Sequence, residues 1–135
     1  MDMFDAYSHA IAALALWAVL VSVLGMLSAG ARGAKETCAC GKPKRDYSDP
    51  AYRRERAFMN AIEGGGPFVA VTVAAVLIGA APFWVNLFAT VYLVARVAMA
   101  AVHIRTENQQ LRSLFFVIGL ASVLALALCV LRAAF

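Results

Sequence analysis

Long apolar stretches without charge dominate the chain and predict membrane-spanning helices. Three of them run from 10 to 31, from 64 to 95 and from 113 to 131. Because a bilayer core of about 30 Å takes about 20 helical residues, each outer stretch fits one span and the middle one fits most of two. Gly79 and Pro82 divide the middle stretch, and the aromatic pair Phe83 and Trp84 suits the membrane interface. The pattern predicts an all-α, integral membrane four-helix bundle in one domain over 1–135, with helices at about 8–32, 50–79, 83–106 and 110–133.

The second predicted helix carries polar residues from the membrane surface into the bilayer. Asp49 followed by Pro50 fits an N-cap and a first helical turn, so we expect the helix to start there. The glycines at 64–66 permit a bend or the close approach of a neighbouring helix. At about 100° per residue, five side chains fall within about 80° of one helix face: Arg53, Arg56, Asn60, Glu63 and Pro67.

A second polar face follows the third predicted helix. Tyr92, Arg96, Met99 and His103 stand at intervals of four, three and four residues, which places them on one side. Arg96 lies at membrane depth, where an arginine costs about 2.5–3.5 kcal/mol on insertion scales. It should therefore snorkel to the surface or face protein, water or a ligand.

Composition and charge indicate an integral membrane protein and predict which of its loops face the cytoplasm. The 135 residues are 63% hydrophobic and 15% charged, which excludes an ordinary water-soluble domain. By the positive-inside rule, the two basic connections face the cytoplasm and both termini face the opposite side. The acidic N-terminus lacks the features of a cleaved signal, so we expect the first helix to be retained. The basic connections hold Lys35, Lys42, Lys44, Arg45, Arg53 and Arg54 between the first two helices, and His103, Arg105 and Arg112 near the third connection.

The loop at 33–49 is interpreted as a polar, turn-rich connection on the cytoplasmic side. Its basic residues suit anionic lipid headgroups, whereas no compact basic domain indicates nucleic acid as a partner. Cys38 and Cys40 are expected to remain reduced there, and Cys129 lies in an apolar helix. Two cysteines spaced by one residue, without a second pair or a nearby histidine, predict no metal site.

The arginines allow two interpretations. In the simpler one, arginines near helix ends are snorkelling anchors, and Glu63 forms a structural ion pair with Arg56 or Arg96. In the other, the cluster binds a small zwitterion with two carboxylates. Guanidinium groups would hold the carboxylates, Glu63 an ammonium group and Asn60 the peptide groups. Asparagine and glutamate do not snorkel well, which favours a binding site.

Two motifs resemble one known family. The segment RRERAFMNAIEGGGPF at 53–68 resembles the R-x-x-R-A-x-x-N-x-x-E-x-x-x-P-F signature of the MAPEG family, the membrane-associated proteins in eicosanoid and glutathione metabolism. The segment ARVAMAAVHIRTENQQLRS at 95–113 is similar to the third helix and following loop of that family's prostaglandin synthase branch. The resemblance covers the chain from 32 to about 113 and extends to the flanking spans only by length and hydropathy.

The resemblance implies a homotrimer of four-helix subunits that binds glutathione, as cosubstrate, between neighbouring subunits near the cytoplasmic side. His103 stands where family members have a tyrosine, and would supply that residue's polar contact to the sulfur or the peptide. A nearby guanidinium lowers the thiol pKa from about 8.5, so that the nucleophilic thiolate is populated at neutral pH. The family pattern assigns glutathione contacts to Arg56, Asn60, Glu63 and Arg96, a supporting cation to Arg53, a contact from the adjacent subunit to Arg32, the thiolate to Arg112 and assistance to Ser113.

As a function, the resemblance implies a membrane-bound glutathione transferase or peroxidase whose lipophilic electrophile enters from the bilayer. The alternative is a non-enzymatic lipid-binding or scaffold protein, since the family includes a member of that kind. A transporter fits poorly, because the polar cluster lies toward one side and leaves no path through the midplane. The basic loops and the lack of an ER-retention signal indicate a bacterial inner-membrane protein.

Overall fold

Four apolar helical spans make up most of the structure, a computed structural model that describes residues 3–135. A 3₁₀ turn at Met3–Tyr7 leads into α1 at Ser8–Ser28, which a second 3₁₀ turn follows at Ala29–Ala31. The remaining helices are α2 at Pro50–Glu63, α3 at Gly65–Ile78, α4 at Pro82–Arg105 and α5 at Gln109–Ala134. With α2 and α3 taken as one span, each span is long and apolar enough to cross a bilayer. The prediction of an all-α, four-helix membrane fold is confirmed.

The second span breaks at Gly64, although the sequence predicts one helix over 50–79. Helix α4 comes too close for a side chain there, because a Cβ at Gly64 would overlap the Arg96 guanidinium. Backbone carbonyls near the break find donors on two other helices. The Trp17 indole of α1 donates to the Ala61 carbonyl at 3.4 Å, and the Tyr92 hydroxyl of α4 donates to the Gly64 carbonyl at 2.8 Å. The break is therefore also a contact point for α1 and α4.

Small residues let the spans pack closely around a few aromatic side chains. Helix α4 lies at the centre and contacts the other four helices. Phe68 of α3 stacks on Tyr92 of α4 with ring centroids 3.9 Å apart, and both side chains are fully buried. Many large apolar side chains face outward, as expected of helices in lipid. The buried alanines of this core include Ala10, Ala13, Ala75 and Ala89.

Hydrogen bonds from the N-terminal turn close the end of the bundle that carries the α3–α4 connection. The Tyr7 hydroxyl donates to the Ala80 carbonyl in that connection. Asn86 of α4 donates to the Ala6 carbonyl at 2.7 Å and accepts the Ala10 N–H at 3.0 Å. These bonds fasten the start of α1 to α4, a role that the sequence pattern does not indicate for either Tyr7 or Asn86.

The loop before α2 is a hairpin that is tied to the start of the helix. Thr37 and Pro43 pair in an isolated β-bridge across the hairpin. The buried Asp49 carboxylate accepts the Ala51 N–H at 2.8 Å and the Lys35 N–H at 2.9 Å. The first of these bonds confirms the predicted N-cap, and the second anchors the loop to it.

Cys38 and Cys40 form a disulfide, so the expectation of reduced thiols is wrong for this structure. A tight turn over 38–41 brings their Cα atoms to 5.2 Å. The Gly41 N–H donates to the Cys38 carbonyl at 2.9 Å, and Gly41 adopts a φ of +77°, which glycine tolerates without strain. Cys129 is the free cysteine among the described residues.

Gly65→Ala tests the close approach of α1 to the broken span. The added methyl group would overlap the Trp17 indole, so we expect the free energy of unfolding to fall by about 1–3 kcal/mol. Gly66→Ala is the matched control, because no atom lies within 4 Å of its Cβ position and alanine favours the helix. Thermal unfolding in detergent measures both variants. Equal melting temperatures for the two would contradict the packing described here.

Candidate functional site

Two small cavities adjoin at the loop end of the bundle, where α2, α4 and α5 meet. Their volumes are about 260 Å³ and about 270 Å³, and both are bordered by Asn60 and Phe116. The structure thus brings residues of three helices together at one place. The predicted site residues that border one cavity or both are Arg56, Asn60, Glu63, Arg96, His103, Arg112 and Ser113.

Arg112 lies in the first turn of α5, where the Asn108 side chain caps the helix by accepting the Leu111 N–H at 3.1 Å. Arg112 is only 9% exposed, and its Nη1 has no hydrogen-bond partner among the described residues. No carboxylate in residues 3–135 forms an ion pair with it. Its guanidinium carbon lies 3.9 Å from the centre of the Tyr47 ring. Arg112 is therefore a buried cation supported by an aromatic face.

Asn60 links α2 to His103 of α4. Its Nδ2 donates to the Arg56 carbonyl at 2.8 Å and lies 3.2 Å from His103 Nε2. Because a carbonyl can only accept, the first bond identifies Nδ2 as a donor, and Nε2 is then the acceptor of the second. The proton of a neutral His103 ring consequently lies on Nδ1, which is buried without a partner among the described residues. His103 thus carries one buried N–H without a partner among the described residues.

Arg96 is buried between aromatic rings and a glycine. It is 5% exposed, and its guanidinium carbon lies 5.0 Å from the Tyr92 ring centre and 5.7 Å from that of Phe116. Gly119 of α5 packs against it, since a Cβ there would lie 3.4 Å from Arg96 Nε, at van der Waals contact. That Nε has no partner in residues 3–135. Glu63 borders the same cavity, yet the described residues contain no ion pair between it and Arg96.

Arg53 and Arg32 border neither cavity. Arg53 ties the loop to the end of α4: its Nη1 donates to the Tyr47 carbonyl at 2.7 Å and its Nε to the Ile104 carbonyl at 3.4 Å. It also forms an ion pair with Glu107 at 3.4 Å. Arg32 is exposed beyond the end of α1. A contribution of Arg32 to the site therefore requires a second subunit.

Tyr47 and Phe116 border the site, although sequence reasoning gave neither a role. Tyr47 belongs to a loop that resembles a solvated connection, and Phe116 is one of many apolar residues in α5. One signal was present for each. Tyr47 stands two residues before the cap at Asp49, and Phe116 stands four residues after Arg112, on the same helix face. Neither signal is specific enough to indicate a site on its own.

A larger cavity, of about 580 Å³, lies at the opposite end of the bundle beside the α3–α4 connection. Its walls include Trp84, Phe88, Leu128 and Cys129, with Arg132 as a charged neighbour. It contains none of the buried cations or unpartnered donors that distinguish the loop end. We therefore place the candidate site at the two smaller cavities, where polar groups from three helices converge.

Comparison with known proteins places the chain in a family. The model of the MAPEG family matches residues 9–132, nearly the whole length. The chain belongs to the MAPEG family. No curated protein matches this MAPEG chain. The family includes glutathione transferases and related enzymes, together with some members that are not enzymes.

Arg96→Met tests whether this buried cation serves the fold or a ligand. Without an acidic partner the guanidinium is costly to bury, so we expect methionine to leave the free energy of unfolding unchanged or to raise it by about 1–4 kcal/mol. Arg53→Met is the matched control, because it removes the bonds to Tyr47, Ile104 and Glu107 and should lower that energy by about 1–3 kcal/mol. Thermal unfolding without ligand measures both. A loss in Arg96→Met as large as that in Arg53→Met would show that Arg96 is structural.

Proposed function

We propose that this MAPEG protein is a membrane-bound glutathione transferase or peroxidase that acts on lipophilic electrophiles. One observation carries the proposal: Arg96 and Arg112 are buried, retain unpartnered N–H donors and have no acidic partner within residues 3–135. A buried cation without a counterion is costly, and such arrangements are concentrated at functional sites. Glutathione supplies the missing negative charge through two carboxylates and a thiolate.

The donors and acceptors around the cavities complement glutathione group by group. Guanidinium forks suit carboxylates, a carboxylate suits an ammonium group, and an amide suits a peptide bond. Arg53 contributes indirectly to the proposed glutathione site. Its guanidinium holds the loop residue Tyr47, which borders the cavity of about 260 Å³. The proposed partners are Arg56 and Arg96 for the carboxylates, Glu63 for the ammonium group, Asn60 for a peptide group, and Arg112 with Ser113 and His103 for the sulfur.

A homotrimer accounts for the exposure of Glu63 at the end of α2. Glu63 is exposed at the end of α2, within a span long and apolar enough to cross a membrane, and a carboxylate that faces lipid is costly. A neighbouring subunit packed on this face would cover Glu63 and bring its own Arg32 toward the glutathione. The exposed Glu63 supports assembly between copies, and the number of three rests on the family resemblance.

Arg112 supplies the activation in the proposed reaction. The guanidinium stabilises the thiolate over the thiol, and the thiol proton passes to solvent. The thiolate sulfur then attacks an electrophilic carbon, and the leaving group departs with the bonding electrons as the C–S bond forms. With a lipid hydroperoxide, the thiolate attacks the terminal oxygen and releases an alkoxide, and a second glutathione displaces hydroxide to form glutathione disulfide. The cavity of about 270 Å³ provides an apolar approach for the substrate, because its walls include Phe116, Leu120 and Val123.

We infer further that the basic loops face the cytoplasm of a bacterium and that the protein lies in its inner membrane. The exposed Arg45 in the first loop suits anionic lipid headgroups on that side. The Cys38–Cys40 disulfide is the opposing observation, because cytoplasmic thiols are held in the reduced state.

A lipid-binding scaffold without enzymatic activity is the second candidate. The cavity of about 580 Å³ at the opposite end favours it, since walls that include Trp84, Phe88 and Leu128 suit an acyl chain. That cavity does not account for the buried arginines at the loop end. The transferase is therefore the function that the site supports best.

The Arg96→Met variant also separates glutathione binding from folding. Loss of one partner in a buried charged hydrogen bond costs about 2–5 kcal/mol, so we expect the affinity for glutathione to fall at least about 30-fold. Arg45→Met, in the exposed part of the loop, is the matched control and should bind as the unaltered protein does. Isothermal titration calorimetry in detergent measures both. Equal losses would indicate general electrostatic attraction, and no binding to the unaltered protein at millimolar glutathione would favour the scaffold.

Arg112→Ala tests the thiolate assignment. Glutathione affinity should stay within a few-fold, whereas turnover of an aryl halide should fall by about 10²–10³-fold, as when one stabilising donor is removed from an active site. The near-ultraviolet absorbance of the bound thiolate should disappear. Arg112→Lys should restore part of both signals, because it keeps the charge but loses the planar fork. Arg105→Ala, at an exposed position, is the control. Full turnover and absorbance in Arg112→Ala would exclude Arg112 as the thiolate-binding residue.

A further inference from the structure

The group that packs against the Arg112 guanidinium is an uncharged aromatic ring, which is unusual for a buried arginine. Buried guanidinium groups are commonly oriented by carboxylates, which match their planar fork. Arg112 has no such partner in residues 3–135, and the Tyr47 ring lies against it at 3.9 Å from guanidinium carbon to ring centre. An aromatic face attracts a cation through its quadrupole. The positive charge of Arg112 is therefore held in place without being neutralised.

The Tyr47 ring is itself fixed by contacts with the starts and ends of neighbouring helices. Its backbone carbonyl accepts from Arg53 Nη1 at 2.7 Å. The ring packs edge-on against Tyr52 of α2 at a centroid distance of 5.1 Å, and it lies nearly parallel to the His103 ring of α4 at 6.5 Å. The loop thus presents Tyr47 to Arg112 from a defined position.

We propose that Tyr47 is a positioning residue for the thiolate-binding arginine: its ring orients the Arg112 guanidinium toward the cavity and leaves the full charge available to the glutathione sulfur. This inference rests on the proposed function and adds a loop residue to the machinery carried by the helices. A carboxylate in the place of Tyr47 would orient Arg112 equally well, but its negative charge would oppose the thiolate. The ring provides the orientation without that opposition.

The same arrangement gives Arg53 a specific task. Arg53 does not border the cavity, yet its bonds to the Tyr47 carbonyl, the Ile104 carbonyl and Glu107 join the loop to the end of α4. Arg53 therefore acts indirectly: it holds Tyr47 in position, and Tyr47 in turn orients the Arg112 guanidinium that would bind the glutathione sulfur. The titratable or charged groups that border this cavity are Tyr47 from the loop, Arg56 from α2, His103 from α4 and Arg112 from α5.

Three variants of Tyr47 in the full-length protein test the inference. The apparent pKa of bound glutathione is measured from the near-ultraviolet absorbance of the thiolate across a pH series, and glutathione affinity is measured by calorimetry. Tyr47→Leu removes the ring, and we expect the thiolate fraction at pH 7 to fall by about three- to thirtyfold while affinity stays within a few-fold. Tyr47→Gln also removes the ring and serves if the leucine variant does not fold. Tyr47→Phe keeps the ring and should restore the thiolate signal.

Two outcomes would overturn the inference about Tyr47, and a third would overturn the proposed function instead. Thiolate fractions in Tyr47→Leu and Tyr47→Gln equal to that of the unaltered protein would overturn the inference. A loss in Tyr47→Phe as large as in Tyr47→Leu would overturn it as well, because the hydroxyl and not the ring would then be responsible. Failure of the unaltered protein to bind glutathione or to show thiolate absorbance would instead overturn the proposed function, and that result is obtained before any Tyr47 variant is compared.

Discussion

Burial of two arginines in an apolar bundle is the constraint on which the rest of the structure depends. A guanidinium removed from water needs partners, and no carboxylate within residues 3–135 provides them for Arg96 or Arg112. Aromatic faces provide the support instead, from Tyr92 and Phe116 for the first arginine and from Tyr47 for the second. Such faces attract a cation and leave its charge for a ligand. The loop end of the bundle therefore holds two positive charges that have no acidic partner within residues 3–135.

The helices make room for Arg96 through glycines, and those glycines also shape the fold. Gly64 lies where the second span breaks and leaves the space that the Arg96 guanidinium occupies, and Gly119 of α5 packs against the same side chain. The Gly64 carbonyl accepts the Tyr92 hydroxyl, and the Tyr92 ring contacts the Arg96 guanidinium and stacks on Phe68. A single aromatic residue thus connects the break, the buried cation and the apolar core.

Features that are local in the sequence could be predicted, whereas contacts between distant segments could not. The lengths of the uncharged stretches predict the membrane spans, and the Asp49–Pro50 pair predicts the helix cap at Asp49. The structure confirms both predictions. The position of the break at Gly64 depends on side chains of α1 and α4, and the ring of Tyr47 reaches the site from a loop without periodicity. Arg53 shows the limit most clearly, because it shares a helix face with Arg56 but its guanidinium bonds to the loop and to the end of α4. The periodicity of the sequence shows which residues share a helix face, whereas their contacts depend on how the helices and loops pack together.

The break at Gly64 also divides one membrane span into two segments that contribute to different parts of the structure. Helix α2 carries the polar groups that face the cavities, whereas α3 contributes to the apolar core. Donors on α1 and α4 satisfy the Ala61 and Gly64 carbonyls at the break. A substitution among the polar residues of α2 therefore alters the lining of the cavities directly, whereas the α3 side chains of the apolar core are a separate set.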